Sequence, residues 1–375
     1  MMSKIVIKTV KSKKELKQFI KFAWKINATD PNWVPPLISD RLKVLDKKKN
    51  PFFEHSEAEY FLAFRDGEIV GRIAAITNQM HNDFQNDNAG FFGFLEGIND
   101  PEVFKILLKT AEDWVRGKGK DFIMGPMNPS TNDEIGFLID GFDTPPYFMM
   151  THNLPYYPQL MDQVNYQKVK DVHAYYVHKD FFALSDKLKT VSEMTKKKLG
   201  IEIRTVRMKD FKAELERVRS IYNNAWAKNW GFVPMTPAEF DFIANDFKKI
   251  IDPDLVLLAE IKGKPVGFSL ALPDYNRIFA QIPNGKLLPF GWLKFLNGKN
   301  KINSLRVITL GVVQELQQAG IGGIFYLETF ERGTSKGYES AEMSWILEDN
   351  TLMVRAAHLM GAKPYKTYRI YGVPL

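Results

Sequence analysis

The sequence predicts an α/β (α+β) protein of two tandem domains, each a mixed, mostly antiparallel sheet flanked by helices. Length, composition and self-similarity lead to that fold class. At 375 residues the chain exceeds what one small core needs, and 45% hydrophobic against 25% charged residues is the balance of a folded chain. The third observation is a repeat. Ile-Val-Ile-Lys-Thr-Val-Lys at 5–11 returns as Ile-Glu-Ile-Arg-Thr-Val-Arg at 201–207, Gly67 and Gly71 return as Gly263 and Gly267, and Lys170 returns as Lys366, each 196 residues on. One offset at three separated places predicts two copies of one domain. They span residues 1–177 and 178–375 and join in the mixed polar stretch from His178 to Lys187.

Each copy reads in order as a strand, two helices, a β-hairpin, and then strand, helix, strand, helix, strand. Lys14 to Ile26 and Phe211 to Ala227 place apolar residues at helical spacing. Alternating apolar runs flank Arg65-Asp66-Gly67-Glu68 and Ile261-Lys262-Gly263-Lys264, which are hairpin turn residues. Pro101 to Val115 reads as a helix with Asp100 as its cap and Pro101 at its first position. Further along, Gly93 pairs with Gly311 and Gly119 with Gly337. The second copy therefore holds roughly 22 extra residues around Asp274 to Ser304, and the first holds its own insertion around Gly125 to Pro155.

Composition excludes several chemistries. With no cysteine, disulfide frameworks, thiolate zinc sites and a Cys nucleophile are all removed. The six histidines are scattered and no ligand spacing is present, so no metal is expected. A net charge of +7 is a mild excess on this length, and nucleic acid is not the expected partner. The basic runs Lys47 to Lys49 and Lys196 to Lys198 read as solvated helix ends. No run of about 18 apolar residues predicts a membrane span and no secretory signal is visible, so the expected location is cytoplasmic.

The most informative stretch is Leu305 to Leu327, where a strand-like run ends at Val313 and a glycine-rich turn opens an apolar helix. Gly320, Gly322 and Gly323 let backbone approach a ligand, and unpaired N–H groups at the helix start favour a phosphate. Close packing of helix on sheet would use the same glycines. A P-loop requires Lys then Ser or Thr where Ile324 and Phe325 stand, and the dinucleotide fingerprint does not fit either. What fits is Q-x-x-G-x-G at Gln317, Gly320 and Gly322, followed by Asn350 and, eleven residues later, Gly361. Here the chain resembles the GNAT superfamily of acetyl-CoA-dependent N-acyltransferases, in element order as well as in motif. The cofactor motif is present only in the second copy.

The resemblance implies two acyl-CoA N-acyltransferase-like domains and direct attack of an amine on a thioester in a ternary complex. Acetyl-CoA or another acyl-CoA would lie with its pyrophosphate on the amides of Gln318, Ala319, Gly320, Ile321, Gly322 and Gly323, beside Gln317 and Asn350. Its pantetheine arm would run along Val312 and Val313. The tyrosine that often protonates the thiolate in this superfamily is replaced by Ala357; His358, Tyr365 and Tyr368 are the nearby substitutes, and Glu315 and Glu348 are candidate bases. Helix-face, packing and capping roles compete for all five. In the first copy Glu102 and Phe104 stand where Gly320 and Gly322 do, so that copy is not expected to bind CoA in this way.

Both insertions hold candidate residues. Asp133, Glu134 and Tyr147 in the first, with Trp226 and Trp230 of the second copy, are candidates for an acceptor pocket, against structural packing. In the second insertion Leu287 to Leu296 is apolar for a loop; packing on the protein's own surface is the expected account, ahead of a lid over an acyl chain or a surface that touches lipid. The predicted activity is acyl-CoA-dependent N-acyl transfer, acetyl first, to a small-molecule or peptide amine. A non-catalytic acyl-CoA-binding module and an aminoacyl- or fatty-acyl-transferring relative are the alternatives.

Overall fold

The computed structural model describes residues 4–182 and 186–375. Residues 183–185, within the expected join, lie outside the described residues.

The first part of the chain runs β1 (Val6–Thr9), α1 (Lys13–Ile26), α2 (Ile38–Val44), β2 (Ser56–Arg65), β3 (Glu68–Asn78), α3 (Gln79–Gln85), β4 (Ala89–Gly97), α4 (Pro101–Gly117) and β5 (Phe122–Gly125). Short strands β6 (Met127–Asn128), β7 (Glu134–Ile135) and β8 (Phe137–Asp140) occupy the first insertion, before α5 (Tyr156–Gln163) and β9 (Gln167–His178). The remainder runs α6 (Asp186–Leu199), β10 (Ile201–Thr205), α7 (Phe211–Ala225), α8 (Pro237–Phe247), β11 (Val256–Ile261) and β12 (Lys264–Pro273). Then follow α9 (Asn276–Phe279), α10 (Gly291–Lys299), β13 (Ser304–Val312), α11 (Ile321–Ser335), β14 (Ser340–Leu347), α12 (Thr351–Leu359) and β15 (Lys363–Pro374).

Local chemistry accounts for the boundaries. Ser12 and Glu15 cap each other's backbone at the start of α1, and Asp100 accepts from the Glu102 amide with Pro101 first in α4. In the two hairpins Asp66 and Gly67, and Lys262 and Gly263, take positive φ of 51°, 84°, 52° and 74°. Two left-handed residues in succession match the twist of the strands they join.

Two compact units result. The first contains Met1–Val172, Asn276–Lys299 and Lys366–Leu375, and the second His173–Tyr275 and Asn300–Tyr365. In the first, strands are ordered β1-β2-β3-β4-β5-β15-β9; in the second, β9-β14-β13-β12-β11-β10. Pairing within each is antiparallel up to the fourth strand, after which β4 and β5, and β13 and β14, run parallel. Phe92, Phe104, Leu107 and Tyr157 lie in the first core; in the second, Ile324 and Phe325 of α11 cluster with Leu257 of β11.

The units are not the consecutive segments 1–177 and 178–375. Tyr371 to Pro374 of the last strand pair with Gly125 to Phe122 of β5, while the second half of β9 belongs to the second unit. The final strand of each copy is thus divided between the units, β9 after Val172 and β15 after Tyr365, which a boundary drawn through the repeat does not anticipate. The second insertion also packs within the first unit: the Trp24 indole donates to the Pro283 carbonyl at 2.7 Å, and the Ile38 amide to that of Gly285 at 2.9 Å.

Candidate active site

Strands β13 and β14 form a fork. Their pairs run from Ser304↔Ser340 to Val307↔Met343 and stop, although β13 continues to Val312 and β14 to Leu347. On its other edge β13 stays paired with β12 as far as Val312↔Gly267. Two buried atoms beyond the last pair, Thr309 Oγ1 and Trp345 Nε1, have no hydrogen-bond partner among the described residues. Buried polar atoms are seldom left so, because each costs about 1–3 kcal/mol.

Beyond β13 the chain makes a tight turn over Gln314–Ala319, passes through Gly320 at φ 83°, and enters α11. The amides of Gly323 and Ile324 close onto the Gly320 carbonyl, so those of Ile321 and Gly322 precede the first helical bond. A Cβ at Gly322 would meet only Leu310 Cδ2 at 3.6 Å, and one at Gly320 only Thr195 Oγ1 at 4.0 Å. These glycines are therefore not required by packing. They leave bare backbone at a helix N-terminus, the arrangement that suits a phosphate.

The turn is fixed from behind. Gln317 Nε2 donates to the carbonyls of Ala225 at 2.9 Å and Val312 at 3.3 Å, and Asn224 Oδ1 accepts from the Gln314 amide at 2.8 Å. Gln317 thus holds the cradle in place through its side chain. Trp226 does similar work: its ring lies where a Cβ at Gly311 would come within 2.4 Å, so it packs on β13. Trp230 is half-buried.

At the base of the fork sits a buried polar cluster. Arg306 and Glu342 are cross-strand neighbours, one position before the last pair, 2% and 0% exposed. Arg306 Nε donates to Ser344 Oγ at 2.9 Å, Ser344 Oγ donates to Glu342 Oε1 at 2.5 Å, and the Tyr365 hydroxyl donates to Glu342 Oε2. Of the expected catalytic residues only Tyr365 reaches this cluster. Glu315 is exposed in the turn, Glu348 is half-buried, and His358 is exposed with its ring edge-on to Tyr175 at 5.5 Å. Asn350 caps α12 by accepting from the Met353 amide at 3.2 Å. Sequence reasoning missed Arg306 and Glu342; the signal was a lone charge of each sign inside two apolar strands.

The corresponding fork of the first unit is filled. Pairs between β4 and β5 run from Ala89↔Phe122 to Phe91↔Met124, and then Asn128 Oδ1 accepts from the Phe94 amide at 2.7 Å. A Cβ on Gly93 would come within 1.8 Å of the Met127 carbonyl oxygen. Glu102 pairs with Arg65 at 3.2 Å, and Phe104 is fully buried. In the first insertion Glu134 pairs with Arg41 at 2.6 Å, Asp133 accepts from Ser130 Oγ at 2.7 Å, and Tyr147 is buried. Among the described residues no group of three or more His, Asp and Glu could hold a metal.

No family model matches the chain. It is 38% identical over 375 residues to the bacterial ceramide synthase of Caulobacter vibrioides (strain NA1000 / CB15N), covering 96% of this chain and 95% of that protein. It is 37% identical over 372 residues to the protein YghO of Escherichia coli (strain K12), covering 98% and 94%. Among solved structures, a tandem GNAT protein from the clavulanic acid biosynthesis pathway superposes with a TM-score of 0.59 at 11% identity, over 99% of this chain and 98% of that one. The GCN5-related glucosamine N-acetyltransferase region of a fungal multi-domain GH3 β-N-acetylglucosaminidase gives 0.60 at 15%, over all of this chain and 38% of that one. The chain therefore has the GNAT acyltransferase fold and belongs to the family of the Caulobacter ceramide synthase and YghO.

Proposed function

We propose that the second unit is an acyl-CoA-dependent N-acyltransferase whose acceptor is the amine of a long-chain lipid base, giving a ceramide-type amide. The fork carries this reading: it combines an open strand edge, two buried polar atoms without partners, and glycines that packing does not need. The ceramide synthase relative supports the lipid acceptor, and on that ground a fatty acyl group is favoured over acetyl.

The residues present fit an acyl-CoA. Ile321 and Gly322 would offer amides to its pyrophosphate, the open edge after Val307 would pair with its amide-bearing arm, and the thioester would lie near the base of the fork. The amine nitrogen attacks the thioester carbonyl carbon, the C–S bond breaks, and the thiolate leaves. Glu342, through the Tyr365 hydroxyl, takes the proton the amine gives up, and a proton returns to sulfur as CoA departs. Arg306, its Nε 3.8 Å from Glu342 Oε1, holds the carboxylate in place.

Calorimetric titration of the full chain with acyl-CoAs of increasing length tests the first half of the reading. We expect binding near one per chain, weakened about a hundredfold or more in Gly322→Glu, whose carboxylate would occupy the cradle and repel phosphate. Gly322→Ala should bind nearly as the parent does, since its methyl has room. Absence of binding, or indifference to Gly322→Glu, would overturn the cofactor assignment. Turnover with small amines but none with long-chain amino alcohols would overturn the acceptor assignment alone.

A further inference from the structure

The second insertion contradicts the expectation that its apolar residues pack on the protein itself. Leu288, Phe290, Trp292, Leu293 and Leu296 are between 41% and 74% exposed. They cluster within nine residues, which marks a surface that meets something else.

The segment is firmly built. The inner face of α10 is seated: Gly291 is buried, Phe295 stacks on Phe279 with ring centroids 6.5 Å apart, and a Cβ at Gly298 would press Ile278 at 3.0 Å. Its outer face, with Trp292, Leu293 and Leu296, is exposed. The Trp292 indole donates to the Pro289 carbonyl at 2.7 Å, so its ring can leave water without stranding a donor. Lys294 Nζ is likewise engaged, donating to the Gln281 carbonyl at 2.5 Å.

Charge identifies the occupant. From Tyr275 to Lys299 there is no Asp or Glu, while Arg277, Lys286, Lys294 and Lys299 all fall there. Lys286 and Lys299 are exposed and, among the described residues, hold no ion pair. Apolar side chains rimmed by cations and free of acids fit the boundary between anionic headgroups and acyl chains. No helix among the described residues is long and apolar enough to cross a membrane. The segment's nine-residue helix can only lie along the surface.

We infer that residues 286–299 dock this protein on an anionic bilayer surface, with Leu288, Phe290, Trp292, Leu293 and Leu296 entering the headgroup layer. The inference stands on this surface alone and does not depend on the acceptor proposed above.

Flotation of the full chain with vesicles tests it, using phosphatidylcholine alone or with about one third phosphatidylglycerol. Binding is expected on the mixed vesicles, little on the neutral ones, and it should fall as salt rises past about 0.15 M. The variant Leu288→Ser/Phe290→Ser/Leu296→Ser should lower the partition constant about tenfold or more, and Lys286→Gln/Lys299→Gln should act on mixed vesicles only. Every substituted side chain is exposed, so melting and acyl-CoA titration should match the parent. No binding to mixed vesicles at low salt, or equal binding by the serine variant, would overturn the inference. So would a dimer, seen by light scattering, that the serine variant dissolves, because the face would then serve a second copy.

Discussion

The Tyr365 hydroxyl donates to the carboxylate of Glu342, which is fully buried. Tyr365→Phe keeps the ring and its contact with Tyr176, centroids 5.9 Å apart, and removes only that donor. Its kcat should fall about a hundredfold with melting little changed, read by release of free thiol. Glu342→Gln is a harsher change, because Arg306 would lose its counter-charge in a buried place, at about 3–5 kcal/mol. Unchanged kcat in Tyr365→Phe would remove the phenol from the mechanism. The replacement of the usual tyrosine by Ala357 was visible in the sequence because it occupies a motif position; Glu342 was not, because only the register of β13 against β14 shows that it faces Arg306. A second titrating residue lies far from this chemistry in the chain. Burial lowers the pKa of His152, with Lys366 acting the same way and Asp30, 2.7 Å away, opposing. The folded state thus resists a proton that the unfolded chain accepts, so stability is full above the ordinary imidazole range and declines as pH falls through it. His81 is lowered by burial too. Melting temperature should therefore drop between about pH 7.5 and 5.5, and less steeply in His152→Asn; an identical slope in that variant would clear His152 of the effect.

At the scale of elements, one strand–helix–strand arrangement serves two ends. In the second copy β13 and β14 part and leave polar atoms waiting; in the first, β6 lies where a ligand would, with Asn128 answering the Phe94 amide. Asn128→Ala should cost about 1–3 kcal/mol for that stranded donor. Gly93→Ala should cost about 3 kcal/mol or more, because the Met127 carbonyl oxygen stands 1.8 Å from the new methyl. Both are read by denaturant melting, and a Gly93→Ala protein as stable as its parent would mean that β6 yields easily. The hairpins and helix starts were readable because turn glycines, caps and periodicity act over a few residues. The filled fork was not: Met127 and Asn128 close it with a carbonyl and a short amide, which no pattern of polar and apolar residues announces.

For the whole molecule, the repeat announced the common strand order but not where each copy's last strand would go. The sequence similarity between β9 and β15 is itself the reason. Two strands alike enough to be recognised as equivalents are alike enough to complete either sheet, and alternation alone does not choose between them. A chain cut at the repeat boundary, 178–375, lacks His173 to Val177, which belong to the second unit. We expect it to bind acyl-CoA at least about tenfold more weakly than the full chain, with broader melting. Full binding by that fragment would show that the second unit does without them.

The placement of Lys366–Leu375 in the first unit also orders events in time. A growing chain emerges N-terminus first at about 5–20 residues per second, and a domain ordinarily folds once its own sequence is out. Here β5 is made roughly 250 residues before its partners Tyr371 to Pro374. The earlier part of the nascent chain must therefore wait, with an open sheet edge, for the later one. A premature stop just before Lys366 would injure a sheet whose other strands are made long before it.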